Sequence, residues 1–414
     1  MIRKKTFAFA VILVIVIITG CKNVSNNRNV RADNDTGVNT HVPYVNNTYA
    51  SARPFNDITA AALAANIRIG WSLGNTFDAF GNTATGFAWL GGGVFANTSV
   101  SQMETAWGNP VTTKANIDAI RRAGFNTIRI PVTWYKACDR NYNIRADWMA
   151  RVTEVVNYAV ENDMYVILNT HHDESIFRFN NAAMEESLRA FKRIWEQIAE
   201  NFKHYNEKLI FEGLNEPRTK GSENEWTGGT TPERNNLNRY YPVFVETVRA
   251  SGSNNARRLL MITTYAASTE AAAMNGLTLP SDTVPNKLIV SIHSYSPYNF
   301  ALNTSRAYNT WSRTNSSDTS PITSMLDRAH NTFVSKGIPV IMGEFGAMNK
   351  ENEEARAQWA EFYVSYAKSK GIPCIWWDNG VFTGDGELFG LINRNNNTFP
   401  YPNILAALMR GAGN

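Results

Sequence analysis

The sequence predicts an α/β fold, a single (β/α)8 (TIM) barrel. Three observations predict it. Eight short apolar runs recur between residues 67 and 377. They are apolar without clean alternation, as parallel strands covered on both faces are. Amphipathic helical segments lie between most of them, giving eight strand-then-helix units over about 350 residues. An open, doubly wound sheet is the alternative that the same alternation allows.

Taken in order, the runs are Ile67 to Leu73, Asn126 to Val132, Met164 to Asn169 and Leu209 to Leu214. Arg258 to Thr263, Lys287 to Ile292, Ile338 to Gly343 and Pro373 to Trp377 complete the set. The helical segments follow from spacing. Thr113 to Ala123 leads into Gly124, a helix stop. Asp147 to Val160 places Val152, Val155, Val156 and Ala159 on one face. Glu185 to Phe202, Leu237 to Val248, Ile322 to Val334 and Glu353 to Ala367 read the same way. The link between runs five and six is weak in helix signal.

The barrel is expected to span residues 55–414. Ahead of it lie two segments of different character. Arg3, Lys4 and Lys5 precede an apolar run from Phe7 to Ile18, the build of a secretory signal. Ile18-Thr19-Gly20-Cys21 resembles a bacterial lipobox, which implies that Cys21 is lipidated and becomes the new N-terminus. The apolar run, about 12 residues, is short for a spanning helix. Residues 22–54 are rich in Asn, Ser, Thr and Asp and cannot bury enough surface to order themselves. They read as a tether, so the expected location is the cell envelope or beyond it, with membrane contact only through a lipid.

Bulk composition excludes several functions. Of 414 residues, 43% are hydrophobic and 18% charged, enough to bury a large core. The net charge of +4 falls to +1 (37 basic, 36 acidic) once residues 1–21 are set aside. No basic surface argues for nucleic acid, and a neutral substrate suits this balance. Beyond Cys21 only Cys138 and Cys374 remain, too few for a disulfide framework. They read as small buried apolar groups. No Cys/His set has zinc spacing, so neither a metal nor a cofactor is expected. A monomer is expected.

In such barrels chemistry sits at the C-terminal ends of the strands. Run two carries Arg129 and is followed by Trp134. Run three is followed by His171, His172 and Asp173. Run four leads into Asn215-Glu216-Pro217, run six into His293-Ser294-Tyr295, run seven into Glu344, and run eight ends in Trp376-Trp377 before Asp378. Glu216 and Glu344 follow buried runs on opposite sides of the ring, where a carboxylate is costly unless bonded or used. Two carboxylates across a cleft are what glycoside hydrolysis needs. Asp78, Asp173, Glu212 and Asp378 are rivals on position alone, and spacing does not choose among them.

The motifs choose. Leu214-Asn215-Glu216-Pro217 and Ile341-Met342-Gly343-Glu344-Phe345-Gly346 resemble those of glycoside hydrolase family 5, the retaining cellulases. So do Thr127-Ile128-Arg129-Ile130-Pro131-Val132, Asn169-Thr170-His171-His172-Asp173 and His293-Ser294-Tyr295. Gly70 to Asp78 and Glu104-Thr105-Ala106-Trp107-Gly108-Asn109-Pro110 are similar to its subfamily 4. The resemblance covers residues 55–412. It implies Glu216 as general acid/base, a role that calls for a raised pKa, and Glu344 as nucleophile. It further implies that Arg129 and Tyr295 attend Glu344 and His293 attends Glu216. Asn215 and His171 would contact the sugar, with His172 a second partner. Trp377 would stack beneath it, since Trp376 points the other way in an alternating strand. By position, Asn75 and Asp78 would line the cleft and Trp134 would add a platform, whereas Trp71 reads as core.

The expected activity is endo-β-1,4-glucanase action on cellulose-type glucan, mixed-linkage glucan or xyloglucan. A mannanase or xylanase is the enzymatic alternative. A lipid-anchored glycan-binding protein with a dead site, or a metal-dependent hydrolase, is the alternative from another class.

Overall fold

The computed structural model describes residues 54–80 and 98–413. The signal, Cys21, the tether up to residue 53 and Trp89 lie outside the described residues.

Eight parallel strands close into a barrel in chain order. They are β1 (Gly70–Leu73), β2 (Thr127–Ile130), β3 (Tyr165–Asn169), β4 (Leu209–Glu212), β5 (Leu260–Thr263), β6 (Leu288–His293), β7 (Val340–Phe345) and β8 (Cys374–Asp378). The first five apolar runs contain their strands, and β6, β7 and β8 extend one or two residues beyond theirs. β8 pairs back onto β1 from Gly70↔Ile375 to Leu73↔Asp378, which excludes the open sheet.

The helices among the described residues begin with α1 (Ala60–Asn66), α2 (Val100–Glu104), α3 (Lys114–Arg122), α4 (Ala146–Glu161), α5 (Met184–Phe202) and α6 (Thr231–Ala250). α7 (Ala271–Asn275), α8 (Tyr298–Ala301), α9 (Ser316–Thr332), α10 (Glu353–Ser369) and α11 (Pro402–Ala412) follow. The weak link between runs five and six holds a 3-10 turn (Tyr265–Ala267) and the five-residue α7. Helix starts obey local chemistry. Thr113 and Thr230 each accept from the backbone N–H three residues on, and Asn116 and Glu233 bond back to the cap. α11 packs on α10 and was not read from the sequence.

Strand alternation sorts side chains between two cores. Ile128, Ile130, Leu168, Phe211, Ile262, Ile292, Met342 and Trp376 face the helices. Ile167, Ile210, Met261, Ile289, Ile341 and Ile375 face inward and fill the lower barrel. Ala60 and Leu63 of α1 join them and plug the bottom. Each such aliphatic burial is worth about 1.5–3 kcal/mol. Above this hydrocarbon, β2, β3, β4 and β6 contribute the polar inward side chains Arg129, Asn169, Glu212 and Ser291.

One irregularity decides what β7 offers there. Ile341 faces in and Met342 out. Strict alternation would turn Glu344 outward. Instead the register with β6 shifts after Ile292↔Met342, and His293 pairs with Glu344. Gly343 is the extra residue of this bulge. Glu344 is thereby turned inward and Phe345 outward onto Trp359 and Tyr363. A Cβ on Gly343 would lie 2.5 Å from Ser291 Oγ and 3.0 Å from His293 Nε2. Gly343→Ala is therefore expected to cost about 1–3 kcal/mol through overpacking and to lower kcat/KM at least tenfold. Thermal melting and initial rates check both. Unchanged rates would refute the positional role of the bulge.

Candidate active site

Arg129 organises the upper barrel. It is fully buried. Its Nε donates to Glu212 Oε2 at 2.7 Å, Nη1 to Glu344 Oε1 at 2.6 Å and Nη2 to Asn215 Oδ1 at 2.8 Å. Glu212 is also fully buried and accepts from Asn169 Nδ2 (3.1 Å) and Ser291 Oγ (2.7 Å). The bond from Arg129 fixes which end of the Asn215 amide is its oxygen. Burial alone would weaken the guanidinium, but Glu212 and Glu344 hold its pKa above the usual arginine value.

Glu344 has both oxygens engaged, the second by Tyr295 Oη at 2.8 Å. Burial, then the charges of Glu344 and Glu216, push the Tyr295 phenol well above its ordinary pKa, so it stays a donor. Across the cleft Glu216 Oε1 accepts from His293 Nδ1 at 2.9 Å. His293 Nε2 has no hydrogen-bond partner, so the ring proton is assigned to Nδ1. One oxygen of Glu216, one of Glu344 and a nitrogen of His293 all lie within 4.8 Å of one another. Burial pushes the Glu216 carboxyl up, but the bond and charge of His293 and the charge of Arg218 prevail and leave it below the usual glutamate range. The raised value expected of Glu216 is thus not a property of the empty site.

These groups line a cleft of about 850 Å³ at the C-terminal ends of the strands. His171, His172, Asn75, Trp107, Trp226 and Trp377 line it too. Trp377 faces inward as alternation requires, while Trp376 is fully buried on the helix side. Gly74 permits this, since a Cβ there would lie 2.7 Å from the Trp377 ring. His171 lies parallel to Trp377 with ring centroids 5.8 Å apart. His171 Nδ1 accepts from Asn169 Nδ2 at 3.1 Å, which puts the ring proton on Nε2. Burial, then the charges of His172 and Arg129, hold its pKa well below the ordinary histidine value. A separate cavity of about 470 Å³ lies at the other end of the barrel. It is lined by aliphatic groups with Arg68 and Lys368 and carries no carboxylate.

Comparison with known proteins agrees with this geometry. The family model described as cellulase (glycosyl hydrolase family 5) matches residues 92–383. The chain belongs to this family. It is 46% identical over 359 residues to endoglucanase A of Clostridium longisporum, covering 86% of this chain and 66% of that protein. A GH5-4 broad specificity endoglucanase from Ruminococcus champanellensis, solved with cellotriose, superposes with a TM-score of 0.81. It is 49% identical, over 86% of this chain and all of that one. A family 5 lichenase from Caldicellulosiruptor sp. F32, solved with cellotetraose, gives 0.79 at 40% identity over 87% and 97%.

Within this family 5 hydrolase the rival carboxylates have structural partners. Asp78 accepts from the backbone N–H of Thr76 (2.7 Å) and Asn75 (3.0 Å), supporting Asn75 at φ 54°. Asp173 accepts from Tyr135 N (2.8 Å) and Trp134 N (3.1 Å), and burial raises it to about 7. Asp378 accepts from Trp71 Nε1 (2.8 Å), Gly380 N and Ile392 N. Glu212 holds Arg129. Asp78, His171 and His172 offer atoms within 4.8 Å of one another, as do Glu216, His293 and Glu344. These are the groups among the described residues whose donor sets could hold a cation.

One expectation is corrected. Trp134 is not a sugar platform. It is fully buried, and its Nε1 donates to Asn169 O at 2.8 Å. The chain turns it under the β2–β3 loops because Asp173 pins its backbone N–H. Trp71 is core, as read, and Cys138 and Cys374 are free and buried. Missed from the sequence were Arg218, which contacts Glu216, and Glu387, at the cleft rim. Arg218 stands two residues after Glu216, which was the available signal. Trp134→Ala should cost about 3–5 kcal/mol of stability. Denaturant unfolding would show a lower midpoint, whereas a rise in KM with unchanged stability would restore the platform role.

Proposed function

We propose that this protein is an endo-acting, retaining β-1,4-glucanase that cleaves β-glucan by double displacement. The observation that carries the reading is the approach of Glu216 and Glu344, whose nearest oxygens lie within 4.8 Å across an open cleft. Retaining pairs stand about 5–5.5 Å apart, whereas inverting pairs leave roughly 6.5 Å or more for a water. Its relatives include endoglucanases and a lichenase, which supports a β-glucan over mannan or xylan.

The chemistry follows from the donors. Arg129 and Tyr295 orient Glu344 so that an oxygen attacks the anomeric carbon. The bond from that carbon to the leaving oxygen breaks, and Glu216 delivers its proton to that oxygen. A water then gives a proton back to Glu216, and its oxygen displaces Glu344. Bound sugar excludes water from the cleft, which strengthens the burial that raises Glu216 and loads the acid. Asn215, fixed by Arg129, presents its amide to the sugar hydroxyl beside the attacked carbon. Trp377 lies under the ring and His171 Nε2–H donates to it, with Asn75 and His172 farther along the cleft.

Glu344→Gln should lower kcat by at least a thousandfold while cello-oligosaccharide binding persists. Calorimetry and initial rates measure the two. Parallel rates on barley β-glucan, xyloglucan and mannan test the polymer. Full turnover of the variant would remove Glu344 from its role, and mannan as the fastest substrate would remove the glucanase reading.

We also propose that residues 1–21 direct export, that Cys21 carries a lipid and that residues 22–54 tether a monomeric catalytic domain outside the cell. No helix among the described residues is long and apolar enough to cross a membrane. Cys21→Ala should move the enzyme from the membrane fraction to the soluble exported fraction. An unchanged distribution would refute the anchor.

A further inference from the structure

We propose that Arg218 is a positioning residue that ties Glu216 to a leaving-side sugar platform, the exposed face of Trp226. The proposal rests on the acid/base reading of Glu216.

Arg218 is held from several sides. Its Nη1 donates to the backbone oxygen of Glu216 at 2.9 Å and approaches Glu216 Oε2 and Glu174 Oε1, each at 3.4 Å. Its Nε donates to Glu225 Oε1 at 2.9 Å. Only 9% of the side chain is exposed. Its guanidinium carbon lies 4.3 Å from the Trp226 ring centroid. Trp226 itself is 56% exposed and lines the same cleft as Glu216. A large aromatic left in water, with one face supported by a fixed cation, is already ordered for a flat apolar partner. The C–H face of a sugar is such a partner.

The side of the cleft follows from the chemistry. The sugar being attacked lies against Glu344 and Trp377. The leaving oxygen must lie against Glu216. Trp226 belongs to the loop that follows Glu216 and shares Arg218 with it, so its free face serves the leaving chain. One guanidinium therefore contacts both the group that protonates the leaving oxygen and the group that holds the leaving sugar.

Glu216 is also faced by His293 of β6, Glu344 of β7 and Tyr295. His172 acts on it from the loop after β3 and Glu387 from the loop after β8, while Glu174 shares Arg218 with it. All remain in the variants below, as does Lys220, which pairs with Glu174 at 3.2 Å. The charge of Arg218 favours the ionised form of Glu216. A general acid works protonated, so its pKa sets the basic limb of the pH profile. Removing the charge lets the carboxyl keep its proton to higher pH.

The test compares Arg218→Met, Arg218→Lys and Trp226→Ala with the parent enzyme. kcat/KM is followed against pH on cellohexaose and on 4-nitrophenyl β-cellobioside, whose nitrophenolate leaves without a proton or a second sugar. Melting curves report folding. Arg218→Met should move the basic limb on cellohexaose up by about one pH unit and raise KM. Arg218→Lys should restore the limb but not the KM. Trp226→Ala should raise KM on cellohexaose roughly five- to tenfold, leave the limb in place and spare the nitrophenyl substrate. A folded Arg218→Met with an unmoved limb would overturn the proposal, and so would equal losses by Trp226→Ala on both substrates. Glu216→Gln with full turnover of cellohexaose is a different result and would overturn the reading beneath it.

Discussion

The upper barrel depends on one buried cation held between two carboxylates. Arg129 lies where no water reaches, with Glu212 beneath and Glu344 above. Desolvating three ions is expensive, and their attraction offsets it only with close geometry and further hydrogen bonds. Both conditions hold here. Each contact is below 2.8 Å, and Asn169 and Ser291 satisfy what remains of Glu212. At an effective dielectric near 20 a pair at 4 Å is worth about 4 kcal/mol, and removing one partner of a buried pair costs about 3–5 kcal/mol. Glu344 is therefore not a side chain free to choose a rotamer. Its place is set by a charge that could not remain buried without it.

The same cation orders a second group. By taking the oxygen of Asn215 it fixes the amide next to Glu216, while Tyr295 takes the other oxygen of Glu344. Strands β2, β4, β6 and β7 thus converge on a few atoms. Below this network Ile167, Ile210, Met261, Ile289, Ile341 and Ile375 pack as buried hydrocarbon. A hydrogen-bond network in such a setting holds its geometry without substrate, as electrostatic catalysis requires.

Much of this was legible in the sequence, for identifiable reasons. The strands could be read because burial on both faces makes them apolar throughout. Trp377 could be told from Trp376 by alternation, which β8 obeys. Glu216 and Glu344 could not be separated from Asp78, Asp173, Glu212 and Asp378 by spacing, since all six stand at strand ends. What divides them is partners, mostly loop amides, which only the folded chain displays. Trp134 failed for the same reason: following a strand says nothing of which way the next loop turns. Arg218 and Glu387 sit on irregular loops, where no period announces direction. The state of Glu216 depends on a donor 77 residues away in sequence.

The bulge at Gly343 has a consequence for how such a site can change over time. A strand is a two-state code in which each position reads in or out. One inserted residue inverts the phase of all that follows, and here the inversion is the working phase. Pairing Gly343 in regular register, with no bulge, would leave a strand that presents Phe345 to the cleft and Glu344 to the helices. The fold would gain regularity and the enzyme would lose its carboxylate. β7 can thus drift in composition, but with six residues from Val340 to Phe345 it must keep its bulge to hold Glu344 inward.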